Sequence, residues 1–85
     1  MGSYRLLIKP SAAKELEILP SRDRKRIATR IQRLALEPRP AGTERLSGQE
    51  KYRLRQGNYR VLYSVDDDQL AVVIAKIGHR RDVYR

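Results

Sequence analysis

The chain contains no cysteine, tryptophan or phenylalanine, and it contains a single histidine. The absence of cysteine excludes disulfides and cysteine-ligated metal sites, and in so small a domain it favours a reducing compartment. No run of about 18 apolar residues is present, which excludes a membrane-spanning helix. Because the N-terminus also lacks the apolar run of a secretory leader, we expect a cytoplasmic protein with no membrane partner. We expect neither a cofactor nor a bound metal.

Acidic residues are scarce relative to basic ones. Lys and Arg number 19 against 10 Asp and Glu, which gives a formal net charge of +9 over 85 residues. Arginine predominates, and its planar guanidinium matches the oxygens of a phosphate. Nucleic acid, an acidic membrane surface and an acidic protein all fit this charge. The lack of bulky apolar anchors weighs against the membrane, and RNA is the first candidate partner.

The local patterns predict a single α+β domain that comprises residues 1–85. Residues 3–9 are apolar at their centre and stop at Pro10, which predicts a strand. Apolar side chains at helical spacing then predict two helices, and Pro20 lies in the tight turn between them. The face of the second helix opposite its apolar stripe carries six basic residues, which are Arg22, Arg24, Lys25, Arg26, Arg30 and Arg33. The two helices are therefore expected to form a helical hairpin.

The second half of the chain predicts a loop and then a sheet. Residues 38–50 are rich in Pro, Gly and polar side chains, which is typical of a loop. Strands are predicted at 51–55, 59–65 and 70–77, and residues 56–58 (QGN) supply the first hairpin turn. The predicted fold is an N-terminal strand, a helical hairpin and a three-stranded antiparallel meander. The helices pack on one face of a four-stranded antiparallel sheet and leave the other face open.

Arginines are predicted to gather on that open face. Strand alternation places Arg53 and Arg55 on the same side, and cross-strand pairing can bring Arg60 beside them. Arg80 follows Gly78, where the chain can turn back toward the same face. Because like charges repel, such a cluster favours an anionic ligand. The alternative is a solvated sheet edge with acidic neighbours.

The C-terminal residues add further candidates for binding or catalysis. His79 can act as a general base on a ribose hydroxyl, or it can be an exposed histidine in a basic tail. Tyr84 can stack on an unpaired base, or it can fold back to close the core. Arg81 and Arg85 can contact phosphates, or they can belong to a fraying basic tail.

Two segments resemble the RelE/ParE superfamily of bacterial and archaeal toxins. They are residues 52–63 (YRLRQGNYRVLY) and the ending at 78–85 (GHRRDVYR). Together with the element order, the resemblance extends from Tyr4 to Arg85, and the ending is closer to the RelE branch. The resemblance implies a toxin of a type II toxin–antitoxin system. It implies a metal-independent mRNA endonuclease that cleaves codons in the ribosomal 30S A site and is inhibited by a RelB-like antitoxin.

The resemblance also implies a role for particular residues. In that branch a ribose 2′-hydroxyl attacks the neighbouring phosphate, and the 5′-oxygen leaves. Lys51 and Arg53 match the family's basic strand pair, one of which acts as the base. Arg60 matches the arginine that steadies the phosphorane, and Arg80 matches the one that acts as acid or phosphate clamp. Tyr84 matches the tyrosine that stacks on the substrate base.

The chain departs from the family pattern at two positions. The strand pair is often two lysines, whereas the second residue here is Arg53, which hardly ever loses its proton. The role of general base therefore shifts toward Lys51 or His79. The sequence also ends one residue after Tyr84, where relatives often continue into a helix. A ParE-like DNA gyrase inhibitor without catalysis and a catalytically weak homologue that binds an antitoxin are the alternative functions.

Overall fold

Two helices and five strands form an α+β fold within residues 3–46 and 50–83, the part of the chain that the computed structural model describes. In chain order the elements are β1 (Arg5–Ile8), α1 (Pro10–Glu17), α2 (Ser21–Arg33), β2 (Thr43–Arg45), β3 (Lys51–Gln56), β4 (Tyr59–Asp66) and β5 (Ala71–His79). The predicted fold class, the helical hairpin and the last three strands are confirmed.

The strands form one sheet in the order β1-β5-β4-β3-β2. The segment β3–β4–β5 is the predicted antiparallel meander. However, β1 runs parallel to β5, so the prediction of a fully antiparallel sheet was wrong. A parallel pair needs a long crossover connection, and both helices and the rest of the meander lie between these two strands.

The strand β2 was predicted as part of a loop. Thr43–Arg45 pairs antiparallel with β3, with Thr43 opposite Leu54 and Arg45 opposite Tyr52. Three polar residues show no apolar alternation, so the sequence pattern does not indicate a strand. The segment is a strand because its backbone groups pair with the otherwise open edge of β3. The sheet of the described residues therefore has five strands instead of four.

The core lies between the helices and one face of the sheet. Ile27 and Ile31 of α2 are buried in the same apolar cluster as Leu54 of β3. The rings of Tyr52 and Tyr63 stack across β3 and β4 with their centroids 5.6 Å apart. Burial of each large aliphatic side chain contributes about 1.5–3 kcal/mol relative to exposure. The helical hairpin thus covers one face of the sheet, as predicted.

Prolines mark the ends of the helical hairpin. Pro10 is the first residue of α1, where its missing N–H leaves no intrahelical bond unmade. Pro20 immediately precedes α2 and separates the two helices. The carbonyl oxygen of Pro38, beyond the end of α2, accepts a 2.6 Å hydrogen bond from the Tyr63 hydroxyl. This bond fixes the chain after α2 to the sheet.

A charged cluster, the Arg39 cluster, ties together the end of the sheet that lies away from the β3–β4 turn. The Arg39 guanidinium forms ion pairs with Asp67 at 2.8 Å and with Glu50 at 3.3 Å. Its Nε donates a 2.8 Å hydrogen bond to the hydroxyl of Tyr52, and the Tyr4 hydroxyl donates a 2.7 Å bond to Asp67. The loop after α2 is thereby joined to β3, to the β4–β5 turn and to the residue before β1.

Candidate functional site

The β3–β4 hairpin positions arginines on the face that the helices leave open. Arg55 and Arg60 are directly paired across the two strands. Arg53 lies two residues before Arg55, so it projects from the same side. Leu54, which lies between Arg53 and Arg55, faces the core and is fully buried. Gly57, with φ of +59°, adopts the left-handed conformation that the tight turn requires.

The segment that follows β5 brings two more arginines to the same region. The backbone N–H of Arg80 donates a 2.8 Å hydrogen bond to the carbonyl oxygen of Asn58 in the β3–β4 turn. The carbonyl oxygen of His79 accepts bonds from the N–H groups of Asp82 and Val83. The Val83 side chain is 2% exposed. The segment is therefore anchored to the domain through residue 83, unlike a fraying tail.

These arginines surround one surface depression of about 440 Å³. Its lining consists of Arg53, Arg55, Arg60, Arg80 and Arg81. The pKa of the Arg60 guanidinium is lowered, first because it is partly buried and then because of the like charges of Arg55, Arg53 and Arg80. Guanidinium groups from two strands and from the C-terminal segment therefore converge, as predicted from the sequence. A concave surface lined by cations of this kind accommodates an anion.

Arg60 is the arginine whose orientation the backbone fixes most directly. Its Nη1 donates to the carbonyl oxygens of Gly57 at 3.0 Å and Tyr59 at 2.8 Å. Because a guanidinium has five N–H donors, the Nε–H and both Nη2–H groups remain. Those three donors have no hydrogen-bond partner within residues 3–46 and 50–83. Arg60 thus presents a braced, planar edge that suits two phosphate oxygens.

A β-bulge in β5 decides which side chains reach this face. The pairing shifts between Leu62 and Tyr63, which stand opposite Lys76 and Ile74, so Ala75 is the extra residue. Beyond the bulge the alternation reverses, which turns Lys76 to the open face. The backbone N–H of Ile77, beyond the last residue of β5 that pairs with β1, donates a 3.0 Å bond to the Glu15 carboxylate of α1. A bulge often redirects side chains beside functional sites.

The structure separates the two candidates for general base. Lys51 shares the open face with Arg53 by strand alternation, although it does not line the depression. His79 is paired with Tyr59 of β4, and the centroids of their rings are 5.9 Å apart in an edge-to-face arrangement. This contact lies on the side of the sheet that the helices cover. Its Nδ1 accepts a 3.2 Å bond from the backbone N–H of Arg81. Of the two, only Lys51 lies on the side of the arginines.

Two of the predicted site residues, Tyr84 and Arg85, lie outside the described residues. Their roles in base stacking and phosphate binding stay predictions. Within residues 3–46 and 50–83, no three His, Cys, Asp or Glu side chains are grouped closely enough to hold a metal ion.

None of the helices within those same ranges is both long and apolar enough to cross a membrane.

A second depression of about 600 Å³ adjoins the first and shares Arg53 and Arg55 with it. Its lining also includes Arg30 of α2, whose Nη1 donates a 2.7 Å bond to the Gln56 side chain. Glu44 of β2 also lines this second depression and forms an ion pair with Arg53. Sequence reasoning missed Glu44 because it missed β2. The charged residue Glu44 lies seven positions before the predicted strand at 51–55, and its charge was the available signal.

Comparison with known proteins identifies the family. Residues 6–84 match the family described as the ParE toxin of the type II toxin–antitoxin system, parDE. The chain is 31% identical over 86 residues to a toxin named RelE1 from Methanocaldococcus jannaschii, and the match covers 96% of each chain. It is 52% identical over 31 residues to toxin RelG from Mycobacterium tuberculosis, which is 36% of each chain.

A solved structure agrees with the sequence matches. The archaeal RelE–RelB complex from Pyrococcus horikoshii contains a chain with a TM-score of 0.81 and 30% sequence identity. The alignment covers 95% of this chain and 99% of the other. The fold, the near-complete family match and the sequence of the RelE1 relative all agree. The chain therefore belongs to the RelE/ParE superfamily of type II toxin–antitoxin toxins and, within it, to the RelE-like branch.

Proposed function

We propose that this toxin is a ribosome-dependent endonuclease that cleaves mRNA at codons in the ribosomal A site. The observation that carries the proposal is the convergence of arginines from β3, β4 and the C-terminal segment around one depression. The reaction has a phosphorane transition state that carries extra negative charge. Positioned cations stabilise such a state, and the loss of one donor commonly costs a few kcal/mol.

The proposed reaction assigns each step to a named group. The 2′-oxygen of the ribose forms a bond to the adjacent phosphorus, and the bond from phosphorus to the 5′-oxygen breaks. Lys51, in its neutral form, accepts the proton of the 2′-hydroxyl, while the free edge of Arg60 binds the non-bridging oxygens. Arg80 donates a hydrogen bond to the leaving 5′-oxygen or clamps the phosphate, and the 5′-oxygen takes a proton from Arg80 or from water to become the new 5′-hydroxyl. Arg53, Arg55 and Arg81 add positive charge around the same phosphate.

The ribosome supplies what this site lacks. Arginine hardly ever loses its proton, and a lysine must lose one before it can act as a base. Correct placement of the 2′-hydroxyl in line with the phosphate can replace much of the missing acid–base catalysis. The ribosome and the mRNA in its A site are therefore the proposed partners of the active toxin, which acts in the cytoplasm. In this proposal Tyr84 stacks on the substrate base.

The proposed inhibitor is a RelB-like antitoxin. Toxins of this superfamily belong to two-component systems, and the similar Pyrococcus horikoshii chain was solved as a RelE–RelB complex. The +9 net charge of this toxin favours an acidic partner. We expect a neighbouring gene that encodes a short acidic protein. We also expect that protein to co-purify with the toxin.

A second candidate function is inhibition of DNA gyrase without catalysis. The observation that favours it is the match of residues 6–84 to the ParE toxin family. Such an inhibitor needs the same fold but no positioned cations. The braced guanidinium of Arg60 has no evident purpose in that reading.

Translation of a defined mRNA in vitro, with and without the toxin, separates the two functions. Primer extension maps new 5′ ends, and a parallel assay with supercoiled DNA detects cleaved gyrase–DNA complexes. Cuts confined to A-site codons, absent when ribosomes are omitted, support the nuclease. Intact mRNA together with cleaved gyrase–DNA complexes supports the gyrase inhibitor. Intact mRNA and unaffected gyrase indicate a catalytically weak homologue.

A further inference from the structure

One acidic side chain stands among the arginines of the open face. Glu44 of β2 is directly opposite Arg53 of β3 in the strand register. Their side chains form an ion pair, in which the Glu44 side chain is 60% exposed and that of Arg53 is 28% exposed. Directly opposed residues on one face are the closest cross-strand neighbours. The strand register and the ion pair therefore agree on this contact.

Arg53 lies where the two depressions meet. It lines the first depression together with Arg60 and the second together with Glu44. In the first depression the like charges of Arg55 and Arg53 add to partial burial in lowering the pKa of Arg60, so Arg53 is one of the cations that repel Arg60. The Glu44 carboxylate offsets part of this repulsion in the protein without RNA. It does so from the adjoining wall, so it leaves the first depression open.

We infer that Glu44 is an internal counter-ion that an RNA phosphate must displace from Arg53. It is a residue that tunes RNA affinity, and it takes no part in the chemical step. The inference rests on the proposed function, because it assumes that the arginine depression binds the RNA backbone. Its consequence is weak binding of RNA in free solution, so that strong engagement depends on the additional contacts of the ribosome.

The contact is suited to such an exchange. Ion pairs exposed to water contribute little to stability, so a phosphate can replace the carboxylate at small cost. A phosphodiester bound in the first depression is close to Arg55 and Arg60 as well as to Arg53. Of the five arginines that line this depression, Glu44 forms an ion pair with Arg53 alone. The phosphate therefore gains attraction from several cations that the carboxylate does not reach.

Two properties are expected to change in opposite directions in Glu44→Gln. The variant should unfold at a lower temperature, because the repulsion among the arginines is no longer offset. It should bind single-stranded RNA about two- to fivefold more tightly, the factor expected for release of an exposed ion pair. A purely structural role for Glu44 predicts lower stability without tighter binding.

The probe is a fluorescein-labelled single-stranded RNA with 2′-O-methyl riboses, which cannot be cleaved through the 2′-oxygen. Anisotropy titrations across a series of salt concentrations compare the wild type, Glu44→Gln and Glu17→Gln. Glu17 is an exposed residue of α1 whose side chain has no partner within the described ranges. Glu17→Gln has the same net charge as Glu44→Gln, so it controls for the loss of one negative charge. Because Arg53 contacts a phosphate in all three proteins, the log–log slope should be the same in each, and the affinity should rise only in Glu44→Gln.

The outcome for Arg60→Ala separates this inference from the proposed function. If Arg60→Ala weakens binding while Glu44→Gln binds like Glu17→Gln, the depression binds RNA but the counter-ion inference is wrong. If Arg60→Ala binds RNA like the wild type, the depression is not the RNA site, and both proposals fail. Tighter binding that is confined to Glu44→Gln, with an unchanged slope, supports the inference.

Discussion

Replacement of Arg60 by alanine is expected to reduce mRNA cleavage on the ribosome by at least tenfold. A tenfold loss corresponds to about 1.4 kcal/mol of transition-state stabilisation. Removal of a preorganised donor from a water-excluded site costs about 10²–10³ in rate. Here Arg55, Arg80 and Arg81 are exposed to water, so the site is only partly desolvated and the expected minimum loss is about tenfold, below that range.

The size of the loss follows from the contacts of Arg60. Hydrogen bonds to the carbonyl oxygens of Gly57 and Tyr59 hold the guanidinium in place before the substrate binds. Arg60→Lys keeps the charge but loses the planar fork and its bracing, so an intermediate rate is expected. Arg60→Ala also removes a cation that its neighbours repel. The electrostatic change should therefore not destabilise the fold.

The assay is single-turnover cleavage of mRNA on programmed ribosomes. Arg22→Ala is the matched control, since Arg22 is an exposed residue of α2 and lies outside both arginine-lined depressions. Thermal unfolding confirms that each variant is folded. A folded Arg60→Ala protein that cleaves at the rate of Arg22→Ala would refute the assignment of Arg60 to the transition state.

Three further outcomes are expected. Arg80→Ala should lower single-turnover cleavage by at least about tenfold, through loss of one phosphate donor. Lys51→Ala should lower cleavage at least about tenfold, as for a lost general base, whereas His79→Ala should stay within about twofold of the wild type. Asp67→Asn should lower the unfolding temperature at neutral pH. A hydrogen bond from Arg39 has the largest effect, and one from Tyr4 the second largest, in holding the pKa of Asp67 below its ordinary value. This stabilisation is lost as the pH falls through the ordinary carboxyl pKa of about 3.9 and below, so the difference from the wild type should disappear there.

The aspartate prediction and the general-base prediction each have their own control. Asp68→Asn removes the same charge one residue away from Asp67, and the side chain of Asp68 has no ion pair within the described residues. An equal loss of stability in both aspartate variants would contradict the specific role of the Arg39 cluster. For the base, a large loss of cleavage in His79→Ala together with a normal rate in Lys51→Ala would reverse the assignment.

Most of the fold follows from sequence patterns because burial is periodic in both helices and strands. The spacing of Ile27, Ile31 and Leu34 marks the buried face of α2, and the turn at Gly57 fixes the register of β3 and β4. The strand β2 was missed because Thr43–Arg45 has no apolar residue. Its pairing depends on the exposed edge of β3, which is a property of the assembled sheet.

The grouping of the arginines follows from strict alternation, whereas the side of the sheet on which His79 lies depends on a break in that alternation. Arg53, Arg55 and Arg60 lie on one regular hairpin, so their convergence follows from the pattern. The bulge at Ala75 reverses the alternation in β5. Strict alternation from the core residues of β5 places His79 on the open face, whereas the bulge turns it toward Tyr59. A bulge formed by an alanine has no local sequence signal comparable to a glycine or proline.

The most direct test of the account uses ribosomes that carry an mRNA with a single altered ribose in the A-site codon. The account predicts cleavage when that ribose has its 2′-hydroxyl, with a 2′,3′-cyclic phosphate and a 5′-hydroxyl as the new ends. It predicts no cleavage at that position when the ribose is 2′-deoxy. Equal cleavage of the two mRNAs would contradict attack by the 2′-oxygen, and absence of cleavage in both would contradict the nuclease itself.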